Sequence, residues 1–278
     1  MPEENVEIEP KEEAISFIRK RILDEFNENK EIFDEIDVEN VRDNDWSVER
    51  FLLHCKNNRE EAFEMLKESL KWRKSFEVNR LKAEDFPREF YKSGSFFPLA
   101  EDKEGNLMIY LRGKLHRKLP DWTELFKKFF VFIIDTVDKK MGGKRYAVFW
   151  DCEGAGLQNV DFDMLSFMTK VVSSYFPYGL EYVLLHELPW VLHTIYNLAR
   201  SWVPEHYQRL ARFANRSQIT DWIDIKNLPD YLNGECQIDY RKPPEGAPSA
   251  KEAQVKYNLN SNAASRLEAH LNQYCYNS

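Results

Sequence analysis

Residues 175–213 read YFPYGLEYVLLHELPWVLHTIYNLARSWVPEHYQRLARF, and the fold class turns on how this stretch is parsed. Pro177-Tyr178-Gly179 breaks the chain, and Tyr182-Val183-Leu184-Leu185 is an apolar run of the length of one buried strand. Leu188-Pro189 punctuates the chain again. From Trp190 to Trp202, apolar residues fall on nearly every helical face: Trp190, Val191, Leu192, Ile195, Tyr196, Leu198, Ala199 and Trp202. Such a helix is buried on all sides or moves against something apolar. It reads either as a core helix or as a lid over a lipid-sized cavity.

On the N-terminal side of this stretch, residues 146–152 (YAVFWDC) read as a buried strand. Residues 107–111 read as another, entered through the corner Asp102-Lys103-Glu104-Gly105-Asn106. Between them, Trp122, Leu125, Phe126, Phe129, Phe130, Ile133, Ile134 and Val137 mark a long helix ended by Gly142-Gly143. Residues 162–176 read as a further helix. On the C-terminal side, Pro204 starts a short helix containing Arg209, and residues 219–223 have the pattern of a final strand. Strands alternating with helices of these lengths predict an α/β fold with a mostly parallel sheet.

The first 85 residues are different. Apolar residues at helical spacing predict a helix over 12–29 and a second over 47–56, with Asp45 as its cap and Glu49 in the capping-box place. A third carries Ala62, Met65, Leu66, Ser69, Leu70 and Trp72. The expected organisation is a disordered acidic lead (1–10), a small three-helix lobe (11–85), an α/β lobe (86–238), and a polar, Pro-containing tail (239–278) with one weak helix over 263–271.

Composition limits the function. Hydrophobic residues at 43% and charged residues at 31% describe a globular chain. With 10 glycines, a fold built on Gly-rich phosphate loops is disfavoured. The net charge is −8, and acidic residues outnumber basic ones roughly three to one before Arg50, so a general nucleic-acid-binding face is not expected. The densest basic group, Lys139-Lys140 with Lys144-Arg145, reads as a solvated loop. Four cysteines lack CxxC spacing, the acidic N-terminus is no signal peptide, and no apolar run approaches the roughly 18–20 residues of a membrane span. A soluble, cytoplasmic protein with free thiols is expected.

No coherent catalytic set emerges, so no enzyme activity is expected. Gly154-Ala155-Gly156 follows a strand but lacks the third glycine of a dinucleotide fingerprint, and there is no GxSxG elbow. His186 and His193 are seven residues apart with Pro189 between them, which does not fit a zinc helix. Asp151 and Glu153 end a strand, where α/β enzymes place chemistry, but they read as capping residues. Neither a metal nor a cofactor is expected.

Taken in order, Phe51-Leu52-Leu53, Glu64-Met65-Leu66, Leu70-Lys71-Trp72-Arg73, Asp102-Lys103-Glu104-Gly105, Tyr175-Phe176-Pro177, Leu188-Pro189-Trp190, Asn227-Leu228-Pro229 and Asn233-Gly234 resemble the CRAL-TRIO lipid-binding domains over residues 12–235. The details most resemble the lipid-binding half of motile-sperm-domain-containing proteins. That family continues into a peptide-binding domain and a membrane anchor; these 278 residues hold neither, so organelle tethering is not carried over. The resemblance implies a helical lobe and an α/β lobe whose sheet floors a hydrophobic pocket. It also implies a gate helix, here residues 189–203, that opens at a membrane surface.

In members that bind phosphatidylinositol, basic residues of the N-terminal lobe, a Glu after the Tyr-Pro pair and a Lys after the gate contact the head. By that resemblance, Lys56 fills one basic position beside Cys55, Tyr178 stands in place of the Glu, and Arg209 stands in place of the Lys. Pocket lining is expected from Ile109, Leu111, Phe129, Phe149, Phe167, Phe176, Trp190, Ile195, Tyr196 and Trp202. The expected function is a lipid-binding or lipid-transfer protein whose ligand is a phospholipid. The alternative is a non-enzymatic adaptor with a filled pocket.

Overall fold

The computed structural model describes residues 11–272 and Tyr274. The expected disordered lead, residues 1–10, lies outside the described residues. The chain forms two units: residues 11–80 with 174–178, and residues 81–173 with 179–274.

The first unit holds α1 (Lys11–Glu28), α2 (Glu35–Asp43), α3 (Trp46–His54) and α4 (Arg59–Ser75). It therefore has four helices where the sequence reading expected three. Helix α2 is short and mostly acidic, and its three buried positions, Asp37, Val38 and Val41, include a carboxylate. Its signal is the cap Asp34, whose side chain accepts from Ile36 N. The expected capping box at α3 is absent. Asp45 is itself helical and pairs with Arg19, while Glu49 pairs with Lys11 at 2.6 Å. Between α3 and α4, Lys56 and Asn57 both adopt positive φ, and Asn58 caps α4 by accepting from Glu60 N and Glu61 N. Ile18, Ile22, Val38, Val48, Ala62 and Phe63 are fully buried and form the core. The Tyr175-Phe176-Pro177 segment belongs to this unit. Trp72 stacks on Tyr175 at 4.0 Å, and Arg50 Nε donates to Pro177 O at 2.6 Å.

The second unit is built on a five-stranded sheet, β1 (Phe96–Glu101), β2 (Leu107–Arg112), β3 (Tyr146–Asp151), β4 (Leu180–His186) and β5 (Ala211–Ala214). The order in the sheet is the order in the chain; β1 and β2 are antiparallel, and the remaining pairs are parallel. The β1–β2 corner closes on Asp102, whose Oδ1 accepts from Glu104 N and Asn106 N, with Gly105 at φ 84°. Asp102 Oδ2 also accepts from the buried Tyr182 hydroxyl at 2.6 Å.

Helices α5 (Arg88–Lys92), α6 (Thr123–Met141), α7 (Phe162–Lys170), α8 (His193–Ser201) and α9 (Glu205–Gln208) precede or connect the strands. Right-handed crossovers between strands laid down in sequence place the connecting helices on one face of the sheet. Alternate strand residues then serve different layers. Met108, Tyr110, Ala147, Phe149, Tyr182 and Leu184 pack with Ile219, Ile223 and Leu228 on one side. Leu111, Trp150 and Leu185 face the helices on the other.

Three sequence expectations change here. Residues 219–223 are not the final strand: Ile219–Trp222 is the short helix α10, entered through a turn whose cap, Asn215, accepts from Ser217 N. The last strand is β5, a four-residue stretch with little apolar alternation. The expected polar tail with one helix over 263–271 holds two helices among its described residues, the expected one and another before it. Helices α11 (Ala250–Lys256) and α12 (Ala263–Leu271) bury Ala250, Ala253, Ala263, Leu267 and Leu271, and Trp122 Nε1 donates to Ala263 O at 2.9 Å. Finally, α8 is not apolar all round. Leu192, Ile195, Tyr196 and Ala199 face inward, while His193, Thr194, Asn197, Arg200 and Ser201 are exposed. The error came from counting Trp190, Val191 and Trp202, which lie outside the α-helix proper.

Candidate functional site

Between the sheet and its helices, the second unit holds a cavity of about 190 Å³, measured over positions open to water-sized spheres. By that measure one water takes about 10–15 Å³, so the space spans about a dozen water positions. Leu111, Trp150 and Leu185 form its floor. Phe126, Phe129 and Phe130 of α6 and Met164, Leu165 and Met168 of α7 form its walls, and Leu192, Ile195, Tyr196 and Ala199 cover it. Leu271 of α12 completes one side. The walls are predominantly apolar, so water gains few hydrogen bonds there and hydrocarbon loses little by entering.

The aromatic wall is rigid because its rings hold one another. Phe129 meets Phe86 edge-on at 5.1 Å and Tyr91 at 5.2 Å, and Phe130 stacks on Phe96 at 5.3 Å. The cover is different. Helix α8 buries no residue completely, and Trp190, in the turn before it, is 85% exposed. Trp202 is exposed with its ring 6.3 Å from exposed Phe162, and Leu198 is exposed between the two ends. Trp190, Leu198 and Trp202 thus put apolar side chains in solvent at both ends and along the outer side of the cover.

Of the expected lining residues, Leu111, Phe129, Ile195 and Tyr196 lie on the cavity. Phe149 does not: it points into the opposite layer, and its neighbour Trp150 takes its place. Ile109 shares the Leu111 face of the strand but is fully buried and not among the lining residues. Phe167 turns toward α6, edge-on to Phe130 at 6.4 Å, leaving Met164, Leu165 and Met168 on the cavity. Phe176 is a core residue of the first unit, edge-on to Trp72 at 6.5 Å. Trp190 and Trp202 point outward rather than in. None of the three expected headgroup residues is among the lining residues. Lys56 and Tyr178 belong to the first unit, both at positive φ, and Arg209 is exposed and paired with Glu205.

The sequence reading missed polar residues on the wall, among them His116, Arg117, Asn159, Asp161 and His270. They are scattered over loops and a C-terminal helix, and no spacing rule connects them. Cys152 also lines the cavity, but burial, reinforced by nearby Asp151, pushes its thiol up to about 12, so it is protonated and unreactive at neutral pH. Cys55, Cys152 and Cys236 are all free thiols.

At the carboxyl ends of β3 and β4, Asp151, Glu153 and His186 bring ligand-type atoms within 4.8 Å of one another, a grouping the sequence reading did not foresee. Asp151 and His186 are buried, with Oδ1 and Nδ1 3.1 Å apart; Asp151 Oδ1 also accepts from Glu153 N, and Glu153 pairs with Arg216. This arrangement ties the two strand ends together. Among the described residues no helix is long and apolar enough to cross a membrane.

Residues 91–234, more than half of the chain, match the family model of the CRAL/TRIO domain. A CRAL-TRIO domain-containing protein of Schizosaccharomyces pombe is 25% identical over 244 residues, 84% of this chain and 54% of that protein. A phosphatidylinositol transfer protein of Eremothecium gossypii is 22% identical over 160 residues, 56% of this chain and 37% of that protein. The matched regions thus span about half or less of these curated relatives. The solved structure of Sfh5 superposes with a TM-score of 0.63 at 13% identity, covering 93% of this chain and 98% of that one. The sequential, mostly parallel sheet, the helix-covered apolar cavity and the matched region lead to one conclusion: this chain belongs to the CRAL/TRIO domain family of lipid-binding domains.

Proposed function

We propose that the protein carries one lipid in the cavity and exchanges it at membrane surfaces, without catalysing a reaction. The observation that carries this reading is an apolar, unfilled cavity roofed by an amphipathic helix with Trp190 exposed beside it. Each buried CH₂ contributes about 0.8 kcal/mol, so acyl chains held there dissociate slowly into water. Release therefore requires the roof to open where hydrocarbon can receive both the chains and the inner face of the helix. Indole suits such a boundary because it tolerates apolar and wet surroundings together. On this reading Trp190, Leu198 and Trp202 meet the bilayer peripherally, and the protein is cytoplasmic between visits. A phospholipid is the cargo implied by the family resemblance, and a relative is named for phosphatidylinositol transfer. No cofactor is needed.

The adaptor reading requires a cavity plugged by side chains, and the open volume favours the carrier instead. The test is transfer of a fluorescent phospholipid between vesicles. Trp190→Asp should slow transfer by about tenfold while moving the thermal midpoint by no more than about a degree, because an 85% exposed side chain contributes little to stability. Equal transfer rates for variant and wild type would remove the bilayer contact assigned to Trp190.

A further inference from the structure

One corner of the cavity wall is polar and is built on the segment after β2. Asn159 Nδ2 donates to the carbonyls of Lys114 at 3.1 Å and His116 at 2.8 Å. His270 Nε2 lies 2.8 Å from Leu115 O, so the backbone here is held from two sides. The His116 ring is half-buried, and its Nε2 sits 3.5 Å from Asp161 Oδ2 with no closer partner. Asp161 is itself fixed as the cap of α7, with Oδ1 accepting from Asp163 N and Met164 N at 3.1 and 3.2 Å.

A buried carboxylate faces an N–H and not a lone pair, so Asp161 selects the tautomer with its proton on Nε2. Nδ1 of His116 is then a hydrogen-bond acceptor, and among the described residues no donor meets it. Burial holds the His116 pKa below its ordinary value despite the opposing pull of Asp161, so the ring is neutral at pH 7 and keeps that lone pair. Of the nearby cations, Arg117 lines the cavity, and Lys118 Nζ lies 4.0 Å from Asp161 Oδ1 and 3.0 Å from Asp163 Oδ2. The Arg112 guanidinium lies 4.0 Å over the Tyr231 ring, in the layer beyond the sheet, and Arg117 and Lys118 are exposed.

We propose that His116 Nδ1 is the polar anchor of the cavity and accepts the hydroxyl of a lipid whose head is an uncharged alcohol, a diacylglycerol being the simplest case. This rests on the carrier reading above and departs from the phospholipid cargo that the resemblance implies. The phosphate diester of phosphatidylcholine offers Nδ1 only acceptors, whereas a hydroxyl supplies the missing donor.

The test uses the full chain. It is incubated with vesicles containing equal amounts of dioleoylglycerol and dioleoylphosphatidylcholine, re-isolated, and its bound lipid quantified by native mass spectrometry and extraction. The two lipids share acyl chains, so their ratio reads the head alone. Wild type is expected to favour the diacylglycerol by about tenfold, the effect of one well-placed hydrogen bond. His116→Phe removes the acceptor, and Asp161→Asn keeps the helix cap but not the enforced tautomer; each should bring the ratio close to one. Preference of the wild type for phosphatidylcholine, or variants that retain the wild-type ratio, overturn the anchor and leave lipid carriage standing. Recovery of neither lipid by the wild type overturns both.

Discussion

The two faces of the sheet use the same strands for opposite purposes. On one, Met108, Tyr110, Ala147, Phe149, Tyr182 and Leu184 are at most 1% exposed and pack against Ile219, Ile223 and Leu228. On the other, Leu111, Trp150 and Leu185 stand over an open volume. Stability and capacity are thus divided between alternate residues of each strand. A filled layer gains dispersion contacts that a cavity forgoes. The filled face therefore holds the sheet, and the other face can leave a volume open without loss of the fold.

The sharpest way to break this division is Phe149→Ala. Deleting a fully buried ring should cost about 3–5 kcal/mol in urea unfolding, while lipid bound per folded molecule stays at the wild-type level. A large loss of lipid with little loss of stability would show that the two faces are coupled. The reciprocal change is Ala199→Trp, which places an indole in the cavity from the inner face of α8. It should lower recovered lipid by about tenfold and change unfolding free energy by less than about 1 kcal/mol, since the added ring enters space already open. A strongly destabilised variant would mean the volume is not free.

The smallest effect concerns the C-terminal segment beside the cavity. Burial alone would raise the Asp85 pKa, but hydrogen bonds from Lys256 and from the Lys82 backbone N–H outweigh it and hold the carboxyl below its ordinary value. The contribution of Asp85 is therefore fully present above the unfolded-state pKa of about 4 and is lost as pH falls through the lower folded value. Asp85→Asn should flatten the acid limb of a plot of urea midpoint against pH, and an unchanged limb would show that the Lys256 contact contributes nothing to the docking of α11.

The architecture was legible in sequence where pattern and length agree. The strand at 182–185, the long helix ended by Gly142 and the ordered motifs all appear in the structure, and the family assignment rests on the same region. What was not legible has physical causes. In Tyr146–Asp151 both faces are occupied, so alternation is lost and nothing local says whether Phe149 or Trp150 meets the cavity. The helix expected over 263–271 is α12, but α11 was missed because its buried positions are alanines, whose small side chains leave little periodic signal although they permit close packing. Helix α2 is masked by its charges. His116 and Asp161 form a pair only because a loop and a helix cap converge across 45 residues, and a sequence window contains no trace of that meeting. The headgroup positions carried over by resemblance illustrate the converse. Lys56, Tyr178 and Arg209 could be found by motif, yet none belongs to the wall of the cavity.

The bond from Trp122 to Ala263 O, with His270 and Leu271 on the wall, means that part of the container is made of chain that follows all five strands in sequence. The sheet can be laid down strand by strand, because neighbours in sequence are neighbours in space. The wall cannot be finished on that schedule. Until α12 is made and docks, the cavity lacks the side that His270 and Leu271 supply, and its apolar lining stays exposed there.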